Sequence, residues 1–531
     1  MATELDRSRV RLAELVAALS LGIDLGFGQP MEHVLRQCLI ALRIADELEL
    51  AEPERAAVYY TALLVNVGCH SDAHEQAKWF GDDIAIKATK YDYDMPSVSG
   101  AVSAMRHLGG RGNPPLHRLR VGLAFAVSGR RDMDDDVLAI HAAIAASLAR
   151  RLELPEEVAI ALVSAYERWD GRGWPDGRKG DTVPIVARIV QIAEYLEVAH
   201  RLGGDAAAQQ LARERAGKQF DPALCALICD HADRVFPGID EVEAFDAVID
   251  AEPSLAVTLS GERFDASLEA LADFVDVKSP YALGHSRAVS ELAAEAARRS
   301  GCGDSEVRDL RRAGLVHDIG RLGVSNAIWD KRGPLARGEW ERVRMHPYLT
   351  ERMLHDAESL APLGQIAVAH CERLDGSGYP SGLSGPAISR PARILGAANV
   401  YQAMCEPRPH REALTPDQAA AELRAGVTAG RLDGDAVDAV LAAVGHRVAR
   451  RREGPAGLTP REIDVLRLLA RGLSNKEIAR RLVISPKTAS NHIEHIYAKI
   501  DASNRATASL FAMQHGLLSE FEAAEPLATA S

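Results

Sequence analysis

Apolar positions along this chain recur at spacings of three and four. Val34, Cys38, Leu42 and Ala45 form one such stripe, and Val289, Leu292, Ala293 and Ala296 form another. That is the period of a helix with one face turned to a core. Runs alternating apolar and polar residues, as half-buried strands do, are scarce, so the pattern predicts an all-α fold. Apolar stretches such as Leu63–Val67 and Ala139–Ala149 fall short of the roughly 20 residues that a bilayer span needs. No membrane partner is expected.

The helical pattern repeats itself. ERWDGRGWPDGRKGDTVPIVARIVQIAEYLEVA from Glu167 matches ERLDGSGYPSGLSGPAISRPARILGAANVYQAM from Glu372, and the same offset of 205 residues carries His141 onto His346. Upstream the offset is larger. His33 and Gly68 are 35 residues apart, as are His285 and Gly320. In both places an amphipathic helix follows the His, and an apolar one (ALLVNVG or AGLVHDIG) precedes the Gly. A repeat of this length is the signature of duplication. The change of offset means that the first copy carries about 47 extra residues between Gly68 and His141. Copy one spans 10–245 and copy two 260–445. The basic segment 446–457, with Gly454, Pro455 and Gly457 breaking any helix, reads as an exposed linker. A third unit spans 458–520, and the last residues read as a frayed tail.

Three helix starts are written into the third unit. Thr459-Pro460-Arg461-Glu462 and Ser474-Asn475-Lys476-Glu477 are capping boxes, and Ser485-Pro486 is a serine cap with proline at the first helical position. Only Leu482, Val483 and Ile484 remain for the turn between the second and third helices, which forces a steep crossing. On the third helix Ala489, Ile493, Ile496, Tyr497 and Ile500 form an inward stripe, leaving Lys487, Ser490, Asn491, Glu494 and Lys499 on the outer face. LTPREIDVLRLLARGLSNKEIARRLVISPKTASNHIEHIYAKI resembles the LuxR-type helix-turn-helix over about 60 residues. The resemblance implies a four-helix module whose third helix enters the major groove of double-stranded DNA. It places Ser490, Asn491 and Glu494 at base-reading positions, and Lys476, Lys487, Thr488 and Lys499 at phosphate-contacting ones. It also implies a last helix near Ser503–His515, stopped by Gly516, that pairs two protomers into a homodimer on DNA. Glu494 departs from the often basic residue there.

The chemistry of copy two rests on His285, His317, Asp318, His346 and His370. Spacing alone makes a dispersed set like this a weak metal signal, and each His by itself reads more readily as a capped or core histidine. An adjacent His-Asp pair at a helix end strengthens it. There the imidazole binds one metal while the carboxylate bridges to a neighbour, and two divalent ions can generate a hydroxide and polarise a phosphoryl oxygen. The contexts LGHSRAV, HDIGRLGV, RMHP and HCERLDGSGYP resemble the HD-GYP branch of the HD-domain phosphohydrolases, from Gly284 to Met404. Members of that family are helical, hold two or three iron or manganese ions and hydrolyse cyclic di-GMP. The resemblance implies Asp318 and Arg321 as catalytic residues, and His285, His317, Asp318, His346, His370, Cys371 and Asn399 at metal-ligand positions. Three positions depart from the pattern: Arg321 replaces a lysine, Cys371 the second histidine of a pair, and Asn399 an aspartate. Asparagine offers a carbonyl oxygen but neutralises no metal charge, so the departures weigh against turnover more than against metal binding.

Copy one is more degraded. His33 and His141 persist, but the His-Asp pair has become Val65-Asn66, Ala165-Tyr166 stands at the histidine pair, and Glu194 at the late aspartate. Trp174 replaces the tyrosine of GYP. This copy is not expected to assemble the same metal cluster. It reads as a scaffold kept for ligand sensing or for packing on copy two.

Composition sharpens this picture. Hydrophobic residues make up 47% and charged residues 26%, which excludes a collagenous or disordered chain. The seven cysteines are scattered from Cys38 to Cys405, as suits reduced thiols. Cys225 and Cys229 read as one buried helix face rather than half a metal site. The acidic N-terminus lacks a basic n-region and an apolar core, so no signal peptide is read and a cytoplasmic protein is expected. The net charge of −13 conceals an asymmetry, because His446–Arg505 carries 13 Lys or Arg against 6 Asp or Glu. A small basic DNA reader is joined to a large acidic helical pair. The leading expectation is a transcriptional regulator whose HD modules respond to a cyclic dinucleotide, another phosphate ligand or a metal. The alternative is an active cyclic di-GMP phosphodiesterase fused to a DNA-binding unit.

Overall fold

The computed structural model describes residues 9–94, 97–110, 113–125, 136–253, 256–446, 455–502, 504–515 and 517. Most of the basic linker, the C-terminal tail, Ser503 and Gly516 lie outside these residues. The chain divides into two compact units, one ending at His446 and the other beginning at Arg447. The two copies therefore share a single body. Among the described residues the only strands are β1 (Arg9–Arg11) and β2 (Thr258–Ser260), each opening one copy, and they pair antiparallel with Val10 opposite Leu259. The rest is helical.

Copy one runs through α1 (Leu12–Gly26), α2 (His33–Glu47), α3 (Glu52–Leu64), α4 (Ala73–Phe80), α5 (Asp83–Ala88), α6 (Asp136–Arg151) and the long α7 (Ile185–Arg215), broken at Gly203 and Gly204. Copy two repeats the order in α8 (Gly261–Asp276), α9 (His285–Arg299), α10 (Asp304–Val316), α11 (Asn326–Trp329), α12 (Arg337–Leu354) and α13 (Arg390–Cys405). The extra residues of copy one hold α4, α5 and the helices Val98–His107 and Pro115–Ala124. Helix α1 of the first copy packs on the turn Ile319–Gly323 and on α12 of the second, while α8 packs back on α6. Each first helix thus packs within its own copy and against the other, which joins the duplicated halves in one body.

The turn that made the repeat visible has a physical reason. The Glu372 carboxylate accepts from the backbone N–H groups of Ser381 (2.8 Å) and Leu383 (2.9 Å), and Glu167 accepts from that of Asp176 (2.7 Å). A methyl on Gly378 would lie 2.4 Å from the Arg373 nitrogen, and one on Gly173 2.4 Å from that of Arg168. Glycine is required where the loop folds back on its own glutamate.

The second unit contains α14 (Pro460–Ala470), α15 (Asn475–Leu482), α16 (Pro486–Lys499) and α17 (Arg505–Gln514). All three sequence-read starts are capped as expected: Thr459, Ser474 and Ser485 accept from the N–H groups of Glu462, Glu477 and Thr488. Leu482 belongs to α15, and the turn reverses on Val483, whose φ of 55° is left-handed. Leu458, Val465, Leu466, Leu469, Ile478, Ala489, Ile493, Ile496, Ala508 and Ala512 form the core, with Tyr497 and Ile500 packed against it.

Candidate functional site

The metal-type residues of copy two converge. Three imidazoles are set by one device: a ring Nδ1–H donating to a carbonyl three residues back. His317 donates to Gly314 (2.8 Å), His346 to Val343 (2.6 Å) and His370 to Ala367 (2.7 Å). His317 follows the end of α10, where carbonyls lack intrahelical partners, and His370 sits in the short turn Val368–Cys371. His346 lies inside α12, and there Pro347 supplies the free carbonyl. Proline has no N–H, so Val343 loses its backbone partner and accepts from the histidine instead. With Nδ1 engaged, each ring turns its Nε2 inward, the nitrogen through which a neutral imidazole ligates a metal.

Those nitrogens surround Asp318. Its Oδ1 lies 3.4 Å from His346 Nε2 and 3.8 Å from His370 Nε2, and its Oδ2 lies 3.6 Å from His317 Nε2 and 3.9 Å from His285 Nε2. One carboxylate thus faces two ligand groups, His285–His317–Asp318 and His346–His370–Cys371, all buried. Burial pushes the His317 imidazole down to about 3, against the pull of Asp318, which keeps it in the neutral, ligating form. Burial opposes charge on Asp318, but the Arg321 guanidinium and the His346 imidazole outweigh it and hold the carboxyl well below its usual range. Cys371 is buried too, and His370 and His346 nevertheless lower its thiol well below the ordinary value. His317 Nε2 is fully buried without a hydrogen-bond partner. An orphaned imidazole nitrogen beside an ionised carboxylate fits a bound divalent cation.

Two of the departures, Asn399 and Arg321, are explained locally. The Asn399 carbonyl oxygen lies 3.0 Å from His285 Nε2, so the neutral amide still lines the site. Arg321 donates to Asp318 Oδ2 (3.0 Å), and its guanidinium stacks over Trp329 at 4.3 Å. The Trp329 ring also meets His346 edge-on. Two participants escaped the sequence reading. Glu406 lies 2.8 Å from His285 Nδ1 and orients that ring from behind, and Arg408 donates to Glu406 (2.9 Å). Both follow α13 in a segment without a motif. Their one signal is a carboxylate seven residues past Asn399, two helical turns on. Arg321 and Arg408 give the site two cations that suit a phosphate.

In copy one, Val65 and Ala165 offer no ligand atom, and among the described residues no comparable His/Cys/Asp/Glu group forms there. Cys225 is buried on the helix Pro222–Asp230 and Cys229 half-buried, both as free thiols. On the second unit, Lys476, Lys487, Thr488, Asn491 and Glu494 are exposed and Ser490 half-exposed, where Asn475 donates to its hydroxyl (2.9 Å). Lys499, though exposed, is tied down inside the unit. Its ammonium lies 2.8 Å from Glu462 and 3.2 Å from the Gly457 carbonyl.

A helical frame present in two copies, the second with a His-Asp pair at a helix end, followed by a four-helix reader, defines an HD-domain protein with a LuxR-type DNA-binding unit. The chain belongs to this family. The HD-domain family model matches residues 132–224 and 269–436, one segment in each copy, and that of the luxR family of bacterial regulatory proteins matches 456–512. The chain is 33% identical over 413 residues to 3'3'-cGAMP-specific phosphodiesterase 3 of Vibrio cholerae, which covers 77% of this chain and 90% of that protein. It is 35% identical over 183 residues to the cyclic di-GMP phosphodiesterase response regulator RpfG of Xanthomonas campestris, covering 34% of this chain and 48% of the relative. The crystal structure of the cyclic GMP-AMP specific phosphodiesterase V-cGAP3 of V. cholerae superposes with a TM-score of 0.58 at 29% identity, over 83% of this chain and 99% of that one. Among the described residues no helix is long and apolar enough to cross a membrane.

Proposed function

We propose that this protein is a cytoplasmic DNA-binding regulator whose second HD copy holds a divalent metal pair, iron or manganese, and takes up a cyclic dinucleotide as its signal. The observation that carries this is Asp318, ionised and facing two groups of buried ligand atoms in one chain with an exposed recognition helix. His285, His317 and Asp318 would hold one ion, and His346, His370 and Cys371 the other. When bound, the metal pair supplies Lewis-acid stabilisation of a phosphodiester and an activated water. The chain's own groups attract and orient the ligand: Arg321 and Arg408 meet its phosphates, and Glu406 keeps His285 aimed. Occupancy would change affinity for DNA, and linkage requires DNA to change ligand affinity by the same factor.

The same geometry supports a second reading, in which the site also hydrolyses its ligand. The likeness to a cyclic GMP-AMP phosphodiesterase over 90% of that protein's length favours it. The full-length chain, loaded with manganese, would be assayed for retention of 3'3'-cGAMP and cyclic di-GMP, and for linear product. Retention abolished by His317→Ala supports the site, and linear product adds the enzyme. On the DNA side Asn491→Ala is expected to remove sequence-selective retention, with a homodimer as the bound species. Unchanged selectivity would reject the recognition helix.

A further inference from the structure

The first copy keeps the frame of the site and fills it with something else. Asn66, Glu194 and His33 stand where copy two has Asp318, Asn399 and His285. Among them sits the ammonium of Lys90, delivered by the short turn Thr89–Tyr91 after α5, within the extra residues that copy two lacks. Lys90 Nζ donates to Glu194 Oε1 (2.6 Å) and to Asn66 Oδ1 (3.3 Å). The Asn66 amide donates to the same Glu194 oxygen (2.8 Å), as does the Tyr91 hydroxyl (2.9 Å), which also lies 3.3 Å from His33 Nε2. Four rings surround the charge, with centroids 5.6 Å (Phe27), 5.6 Å (Tyr91), 5.7 Å (Tyr166) and 5.8 Å (Tyr195) from Nζ.

This cage belongs to copy one alone. The counterparts of Phe27, Tyr166 and Tyr195 in copy two are Ser279, Cys371 and Val400, and Tyr91 has none. Aromatic faces attract a cation through their quadrupoles, most strongly where water is excluded. The rings and the lysine therefore form one replacement: ligands suited to a metal have given way to a carboxylate, an amide oxygen and π-faces suited to an ammonium. We propose that the degenerate site of copy one is a cation site occupied by the chain's own Lys90, which stands in for a metal and ties the extra segment of this copy to its core. Burial works against the charge, but Glu194 prevails and holds Lys90 above the ordinary lysine range. Lys90 in turn keeps the buried Glu194 below the ordinary carboxylate range. Each group is stranded without the other.

The test is a double-variant cycle on the full-length chain, read as the midpoint of thermal unfolding. Lys90→Met keeps the alkyl stem and removes the charge, and Glu194→Gln removes the counter-charge. Each single variant is expected to lower the midpoint by about 2 °C or more. The pair together should lose less than the sum of the two, because no uncompensated charge remains. Should Lys90→Met fail to fold, a folded Lys90→Met/Glu194→Gln chain is the same coupling seen more strongly. Strictly additive losses, an indifferent Lys90→Met, or failure of both chains to fold would overturn the proposal. Metal content per chain should be unchanged in Glu194→Gln, and a loss of metal there would overturn it as well.

Discussion

Gly320 offers a sharp test of how tightly the candidate metal centre is built. A methyl on this residue would lie 2.1 Å from the carbonyl oxygen of His346 and 2.6 Å from the backbone nitrogen of Thr350. Neither is a flexible side-chain end, and real contacts of this kind essentially never fall below 3.0 Å. The turn Ile319–Gly323 and helix α12 must therefore part by close to 1 Å in Gly320→Ala. Asp318 stands on one side of that seam and His346 on the other, 3.4 Å apart. Forcing such a seam open costs about 1–3 kcal/mol of stability. The larger effect falls on the ligand set, since functional groups must be held to about 0.5 Å. Manganese titration of the full-length Gly320→Ala chain should show affinity reduced about 10-fold or more, with a lowered unfolding midpoint. Gly68→Ala is the control. Its methyl would meet the His141 carbonyl at 1.9 Å in copy one, so it should lose stability and keep metal affinity. A Gly320→Ala chain with unchanged metal affinity and stability would refute the argument that this close approach sets the site.

Glu406→Gln should lower metal affinity about 10-fold to 100-fold by releasing His285 from its carboxylate, and metal titration at fixed pH reads this directly. Burial pushes the Asp24 carboxyl up to about 8 and that of Asp276 up to about 6. A carboxyl whose folded value is raised contributes stability that is full below its unfolded value of 3.8 and lost as pH rises through the folded one. Stability should therefore decline from about pH 4 to pH 8, and Asp24→Asn should flatten the part above pH 6 in urea unfolding series. Val483 holds a left-handed φ while 90% exposed, which a β-branched residue tolerates poorly. Val483→Gly should raise the stability of the DNA-binding unit by roughly 0.5–1 kcal/mol, seen as a higher unfolding midpoint with DNA retention intact.

What the sequence reveals and what it hides differ for physical reasons. Caps, N1 prolines and apolar stripes are local, so the four-helix unit could be read almost to the residue. The duplication was legible because the fold-back turns need glycine and a glutamate at fixed spacing, which Gly173, Glu167, Gly378 and Glu372 preserve. The candidate ligands His285, His317, Asp318, His346 and His370 carried recognisable neighbours, one of which, Pro347, proves to have its own task at Val343. Lys90 left no such trace, because it reaches the site from extra residues without counterpart in copy two. Glu406 and Arg408 act through long-range contacts to His285 and the site's charge. Lys499 illustrates the reverse case. Its exposed helical position suggests a phosphate contact, while the capping glutamate Glu462, 37 residues earlier, holds its ammonium. The two copies read as separate domains along the chain, yet the packing of α1 and α8 across the copies joins them into one body.

Elemental analysis of the full-length protein and of Asp318→Ala, both purified after growth in iron and manganese, decides whether copy two holds a metal pair. Because Asp318 faces both ligand groups, about two divalent ions per chain are expected in the natural protein and essentially none in the variant. A natural chain that stays metal-free, or an Asp318→Ala chain that keeps its full complement, would rule out a metal pair centred on Asp318.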